Sequence, residues 1–237
     1  LNHINKLRSH TSDMYKKDSA SGEIGNDGIS MILLQYSGLP DLELQSYYYY
    51  VPELYSTFIA LADYSYVTTD ETLFCAGMQY FNSGNGGKYV EKENKNGGDD
   101  IDLVAVKVGY DADDWMISLN YSQNFGLSGI VKGYGGLAKV YTTSMVANGR
   151  GNFKPETWML HSRFDIDPLP YGQSEFALWL TNTRVHDERG DDFNAYYTHL
   201  RHYFNADTSV YLRFEAIDYL NGKEDVNYLR LIASYNF

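Results

Sequence analysis

Cysteine is almost absent from the 237-residue chain: Cys75 stands alone, so no disulfide forms within these residues. Proline is scarce too, with five residues. No apolar run approaches the ~18 residues that a membrane-spanning helix needs, and the mean hydropathy of -0.42 excludes a helical membrane protein. It does not exclude a barrel, in which half of each strand faces water. Positive charge is in deficit, with 19 Lys and Arg against 31 Asp and Glu and a formal net charge of -12. That balance argues against a nucleic-acid partner, which selects basic faces. The first residues, Leu1-Asn2-His3-Ile4-Asn5-Lys6, carry neither an initiator Met nor a basic-then-apolar signal peptide. The expectation is that a signal has been removed, or that the front of a longer protein precedes Leu1.

What the chain has in abundance is tyrosine, 23 residues, and glycine, 21. Both suit strands with aromatic interfacial girdles and close-packed inner positions. Residues 1-28 are polar and without useful period, and read as an extracellular loop region with at most one helical turn. From 29 to 237 the pattern is strands of about ten residues, the length expected of tilted membrane strands. The expected spans are 29-37, 42-51, 54-67, 72-82, 101-110, 115-125, 156-166, 174-185, 193-204, 209-220 and 226-237. The connections alternate. Short ones occur at Gly38-Leu39-Pro40-Asp41, Thr68-Thr69-Asp70-Glu71, Asp111-Ala112-Asp113-Asp114, Asp167 to Gln173 and Asn205-Ala206-Asp207-Thr208. Long ones cover 83-100 and 126-155, and only the link near Pro52 is short where a long one is expected. Short turns on one side and long loops on the other mark an outer-membrane barrel.

The period of two assigns faces. Phe74, Ala76, Met78 and Tyr80 oppose Cys75, Gly77 and Gln79. Trp158, Leu160, Phe164 and Ile166 oppose Met159, His161, Arg163 and Asp165. In the last strand Leu229, Leu231, Ala233, Tyr235 and Phe237 oppose Tyr228, Arg230, Ser234 and Asn236, with Ile232 as the exception. One face tolerates almost no charge, as lipid demands, while the other is too polar for a packed soluble core. The expected fold is therefore all-β: an antiparallel, up-and-down transmembrane barrel with water inside. The run Tyr47-Tyr48-Tyr49-Tyr50 shows no chemical alternation; it reads as an interfacial girdle or as plain strand propensity.

With the closing Phe237 and the segments Asn148 to Trp158, Phe164 to Leu169 and Ser209 to Phe237, the chain resembles the C-terminal part of an OprD-type outer-membrane porin. Epsilonproteobacterial major porins are a related neighbour. The resemblance implies a barrel of about 18 strands, an even count as in single-chain bacterial barrels. It also implies an N-terminal part of about seven strands upstream, in keeping with the odd strand number here. It implies a non-enzymatic channel in the outer membrane of a Gram-negative cell, monomer or trimer. Lipid would surround it, and carboxylates, amino acids or short peptides would pass through.

Selectivity in such a channel comes from charged rows at a narrow point. By parity Lys107, Arg163, Arg201, Arg213 and Arg230 point inward. They resemble the family's basic ladder, in which each guanidinium holds a carboxylate bidentately. The alternative is pairing of these arginines with Asp165 and Glu215 on the wall. The 126-155 connection corresponds to a loop that folds inward in this family. Its Ser128, Tyr134, Lys139, Tyr141 and Arg150 are candidates for the constriction, against the alternative of a surface loop with no inward fold.

Weaker signals imply no cofactor or metal. Gly84-Asn85-Gly86-Gly87-Lys88 lacks the spacing of a phosphate loop, and the aspartates at 99, 100 and 102 or 111, 113 and 114 lack an EF-hand frame. His161, His199 and His202 have no nucleophile in a recognisable context. A lipid hydrolase would need a Ser and His together on the lipid-facing wall. A non-conducting structural or adhesin barrel is the other alternative.

Overall fold

The computed structural model describes residues 2–4, 7–8, 15–16, 29–51, 55–68, 72–85, 100–127, 139–144, 153–169 and 172–235. Every regular element among them is a strand. In chain order these are β1 (Asn2–Ile4), β2 (Leu7–Arg8), β3 (Tyr15–Lys16), β4 (Ile29–Leu39), β5 (Leu42–Val51), β6 (Tyr55–Val67) and β7 (Leu73–Asn85). They continue as β8 (Asp100–Ala112), β9 (Trp115–Asn124), β10 (Pro155–Leu169), β11 (Gly172–Val185), β12 (Phe193–Tyr203), β13 (Thr208–Tyr219) and β14 (Val226–Tyr235). From β4 onward each strand pairs antiparallel with the next, an up-and-down meander; β1 adds to the free side of β4, and β2 pairs with β3 apart from the main sheet. Each of the eleven expected strands is present. Residues 1-28, read from sequence as loop, contribute these three short extended pieces.

The alternation of connection lengths follows from the same order. Links 40–41, 68–72, 113–114, 170–171 and 204–207 lie at one end of the strands; 52–54, 86–99, 125–154, 186–192 and 220–225 lie at the other. Tight turns use residues suited to them. Asp41 takes a left-handed φ of 61° after Pro40, a conformation that Asp tolerates better than most side chains. Gly172 opens β11 at φ 134°, pressed so close to the Tyr203 carbonyl that no Cβ fits.

Cross-strand register fixes the two faces. Leu34, Tyr36, Phe58, Met78, Val106, Leu119, Trp158, Leu200, Leu212, Leu229 and Leu231 all stand exposed on one of them. So long a band of exposed apolar side chains has no place on a soluble monomer. The Tyr47–Tyr50 run divides by position: Tyr48 and Tyr50 are exposed on the apolar side, while Tyr47 and Tyr49 stack, near-parallel, on the other.

The sheet curls. Tyr141 and Ser144 hydrogen-bond to Asp63 on β6 and Glu215 on β13 respectively. In a flat sheet those strands would lie about 34 Å apart at a spacing of ~4.8 Å. The backbone between Tyr141 and Ser144 reaches at most about 10 Å, and side chains stand perpendicular to a sheet, so they cannot bridge the rest. The polar face is therefore concave and wraps residues 139–144.

That face is drier than its parity pattern predicts. Toward the long connections Ile59 and Leu103 are fully buried, with Phe81, Met159 and Tyr197 nearly so. Polar neighbours there satisfy one another, Thr57 with Ser83 at 2.8 Å and Thr157 with Thr183 at 3.0 Å. Val140 and Thr142 of the inward connection are buried against the same face. Parity gives the direction of a side chain but not what will cover it.

Candidate functional site

The concave face carries the chemistry, and residues 139–144 lie across it. Gln79 on β7 clamps this segment as a neighbouring strand would. Its Nε2 donates to the Lys139 carbonyl (3.0 Å), and its Oε1 accepts from the Tyr141 N–H (3.1 Å). Asn120 on β9 donates to the Tyr141 carbonyl (3.2 Å), and the Ser122 and Thr142 hydroxyls share a hydrogen bond of 2.6 Å. The Tyr141 hydroxyl donates to Asp63 Oδ1 (2.7 Å), and Lys107 Nζ reaches the same oxygen at 2.9 Å. Lys107 Nζ also sits 4.5 Å from the Tyr141 ring centre. Burial, then the Asp63 hydrogen bond, pushes the Tyr141 hydroxyl far above the ordinary tyrosine range, so it stays a donor.

Two glycines make the approach feasible. A Cβ on Gly77 would collide with the Tyr141 hydroxyl and fall 2.8 Å from both Asp63 Oδ1 and Lys107 Cε. Where the segment leaves β9, a Cβ on Gly126 would strike the Asp100 carbonyl. Asn124 Oδ1 accepts from the N–H groups of Asp102 and Gly126, tying that exit to β8. The chain returns at Phe153, whose N–H donates to the Leu127 carbonyl at 2.8 Å. Phe153 and Lys154 then take left-handed φ of 73° and 61° before β10 begins.

All five cations read as inward from sequence stand on the concave face, in two environments. Lys107 pairs with Asp63, and Arg163 lies 3.4 Å from Asp111 and 3.7 Å from Asp165. Arg201 lies over the rings of Tyr203 (4.5 Å) and Tyr211 (5.5 Å). Arg213 donates from Nε to the Tyr197 hydroxyl (3.0 Å) and lies 5.0 Å from the Tyr211 ring. Arg230 is exposed and directly opposite Arg213 in the β13–β14 register. Among the described residues no carboxylate forms an ion pair with Arg201, Arg213 or Arg230. Of the two carboxylates considered from sequence as arginine partners, Asp165 neighbours Arg163, and Glu215 accepts from Ser144.

The histidines separate. His161 and His199 face inward around Trp179, and His199 Nε2 meets Glu175 at 2.8 Å. His202 is on the apolar side, its Nδ1 2.9 Å from Ser174 Oγ. Ser174 is 5% exposed, and the pair spans adjacent strands, which makes it a cross-strand hydrogen bond with little access for an ester. The acidic groups do not converge: among the described residues no set of three or more His, Cys, Asp or Glu could hold a metal ion. Of the expected constriction residues, Lys139 and Tyr141 are in this site; Ser128, Tyr134 and Arg150 lie outside the described residues, as do Asp99, the closing Phe237 and 86–88 of the glycine-rich run. Sequence reasoning missed Asp63, Gly77, Gln79, Asn120 and Ser122. Their only signal was polarity on an inward parity.

No family model and no curated protein matches the sequence. Solved structures do. The chain is similar to the outer membrane protein OprD from Pseudomonas aeruginosa, with a TM-score of 0.74 at 13% identity, over 88% of this chain and 59% of that one. The fold is that of an OprD-type porin. Similarity to Pseudomonas aeruginosa OccK10 (OpdN) gives a TM-score of 0.72 at 18% identity, over 89% of this chain and 62% of that one. For Pseudomonas aeruginosa OpdL the TM-score is 0.70 at 15% identity, with 98% and 63% covered. The chain thus spans about three-fifths of the length of these OprD-type structures.

Proposed function

We propose that this chain forms part of the wall of a non-enzymatic diffusion channel in the Gram-negative outer membrane, working as monomer or trimer with lipid around it. Small hydrophilic solutes pass through it, with carboxylates, amino acids or short peptides as the favoured class. One observation carries the reading: the faces are inverted relative to a soluble protein. Apolar side chains crowd the exposed convex face, and the charges lie on the concave one.

In this reading the apolar band meets hydrocarbon and the concave face meets water. Arg201, Arg213 and Arg230 form a basic ladder that draws carboxylates, and Lys107 and Arg163, read from sequence as part of the same row, are held beside it by Asp63, Asp111 and Asp165. The guanidiniums over tyrosine rings are held in place by packing, so their N–H groups need little reordering to meet an anion. Lys139 and Tyr141 narrow the path, and Ser128, Tyr134 and Arg150 belong to the same constricting connection. In this reading 29-237 forms barrel wall, with β1 added beside β4.

Conductance of the full-length protein in a planar bilayer is the test. Discrete openings with a preference for anions over cations of equal size support the channel; a silent bilayer with correctly folded protein refutes it.

A further inference from the structure

We infer that Asp63, Gly77 and Gln79 are the positioning residues that fix Tyr141 in the lumen, and that this latch withdraws Lys107 from the solute path. The inference deepens the channel reading and rests on it for its consequence, not for its geometry. A single carboxylate oxygen, Asp63 Oδ1, receives both the Tyr141 hydroxyl (2.7 Å) and Lys107 Nζ (2.9 Å). Lys107 is thereby neutralised and laid against the Tyr141 ring. Gln79, 3% exposed, holds the backbone on both sides of Val140 and has no freedom to serve a passing solute. Gly77 is the space that the phenol occupies. These contacts join positions 60 to 78 residues apart in sequence, so they fix where the inward segment comes to rest. A loop held by its ends alone would sample many positions. One held by a buried amide clamp and a charge-assisted hydrogen bond has a single position, and hence a single pore width.

The cysteine of the chain supplies a reporter. Cys75 lies two residues from Gly77 on the same inward face of β7 and is partly exposed. The Tyr141 hydroxyl packs over neighbouring Gly77, so the latch predicts that displacing Tyr141 widens access to Cys75. The experiment measures two things on the full-length protein: the rate at which a small charged methanethiosulfonate labels Cys75 in detergent, and single-channel conductance in a bilayer. Asp63→Asn is expected to raise the labelling rate about tenfold, the factor that one lost hydrogen bond to a charged group is worth. Conductance is expected to rise with it. Tyr141→Phe, which keeps the ring and therefore the fold, gives the same direction with a smaller change, and Gly77→Ala, which displaces the phenol, matches Asp63→Asn. Labelling and conductance unchanged in Tyr141→Phe and Asp63→Asn overturn the latch. Labelling that rises while every protein, wild type included, stays silent in the bilayer upholds the latch and refutes the channel.

Discussion

In the half of the concave face nearer the long connections, Ile59, Phe81, Leu103 and Met159 are buried. In the half nearer the short turns, Asp111, Arg163, Asp165, Glu175 and Arg201 keep partial contact with water. Both halves are built from the same strands and the same parity, so the backbone does not distinguish them. What does is burial: residues 139–144 of the connection between β9 and β10 lie on Gln79, Asn120 and Ser122, while the charges nearer the short turns keep water. The packed half behaves as a core, where shape matters; the open half behaves as a surface with an aligned field, where charge matters. Changes in the first are expected to move stability, and changes in the second to move selectivity.

The largest expected effect is in the packed half. Leu103→Ala removes a fully buried side chain, and is expected to lower folding stability by about 2–5 kcal/mol, read from the urea midpoint of the refolded protein. Ile232→Ala, on the same face but 37% exposed at the β14 edge, should cost under about half as much. Equal losses at the two positions would erase the distinction. Next comes charge. Neutralising Arg201 and Arg213 together with glutamine is expected to lower the anion-to-cation permeability ratio by roughly threefold or more, with little change in the urea midpoint. No change in the ratio removes the ladder from the reading.

Arg163→Gln should move that ratio less, because Asp111 and Asp165 already offset its charge. A shift as large as that of the Arg201 and Arg213 pair would mean that pairing on the wall does not silence a cation. The smallest effect belongs to the outer rim. Lys223, then Asn221, hold the Asp191 carboxyl below its ordinary range, and hydrogen bonds from Arg189 bring Asp187 down to about 2. Depressed carboxyls contribute stability above their unfolded values and lose it as pH falls through the folded ones. Protection factors of the amides in loop 186–192, corrected for the intrinsic exchange rate, should therefore fall below about pH 4. Asp191→Asn should remove part of that acid response, and added salt should weaken the pairs, which lie in water.

Strand positions were legible because a two-sided solvent writes a period of two into every strand. The ends were less so. Ser83 to Asn85 read as loop from composition, yet Ser83 and Gly84 pair with Ile101 and Asp100 and extend β7. Ladder hydrogen bonds outweigh the weak preferences of Ser and Gly there. The cations were placed by parity alone, and their surroundings were not: Arg201 opposes Tyr211 only once the β12–β13 register is known. The anchors of the inward segment were beyond reach for a stronger reason. Asp63 and Tyr141 meet across 78 positions, through a curl that no local pattern encodes. The wall is a local property of the chain, and what hangs inside it is not.

The hydrogen bond from Phe153 to Leu127 gives the inward connection a narrow stem, so everything between leaves and rejoins the wall at one point. An insert rooted in that way is a replaceable cartridge. Its length can change without shifting β9 against β10, because the ladder from Glu156–Gln123 to Phe164–Trp115 holds that register by itself.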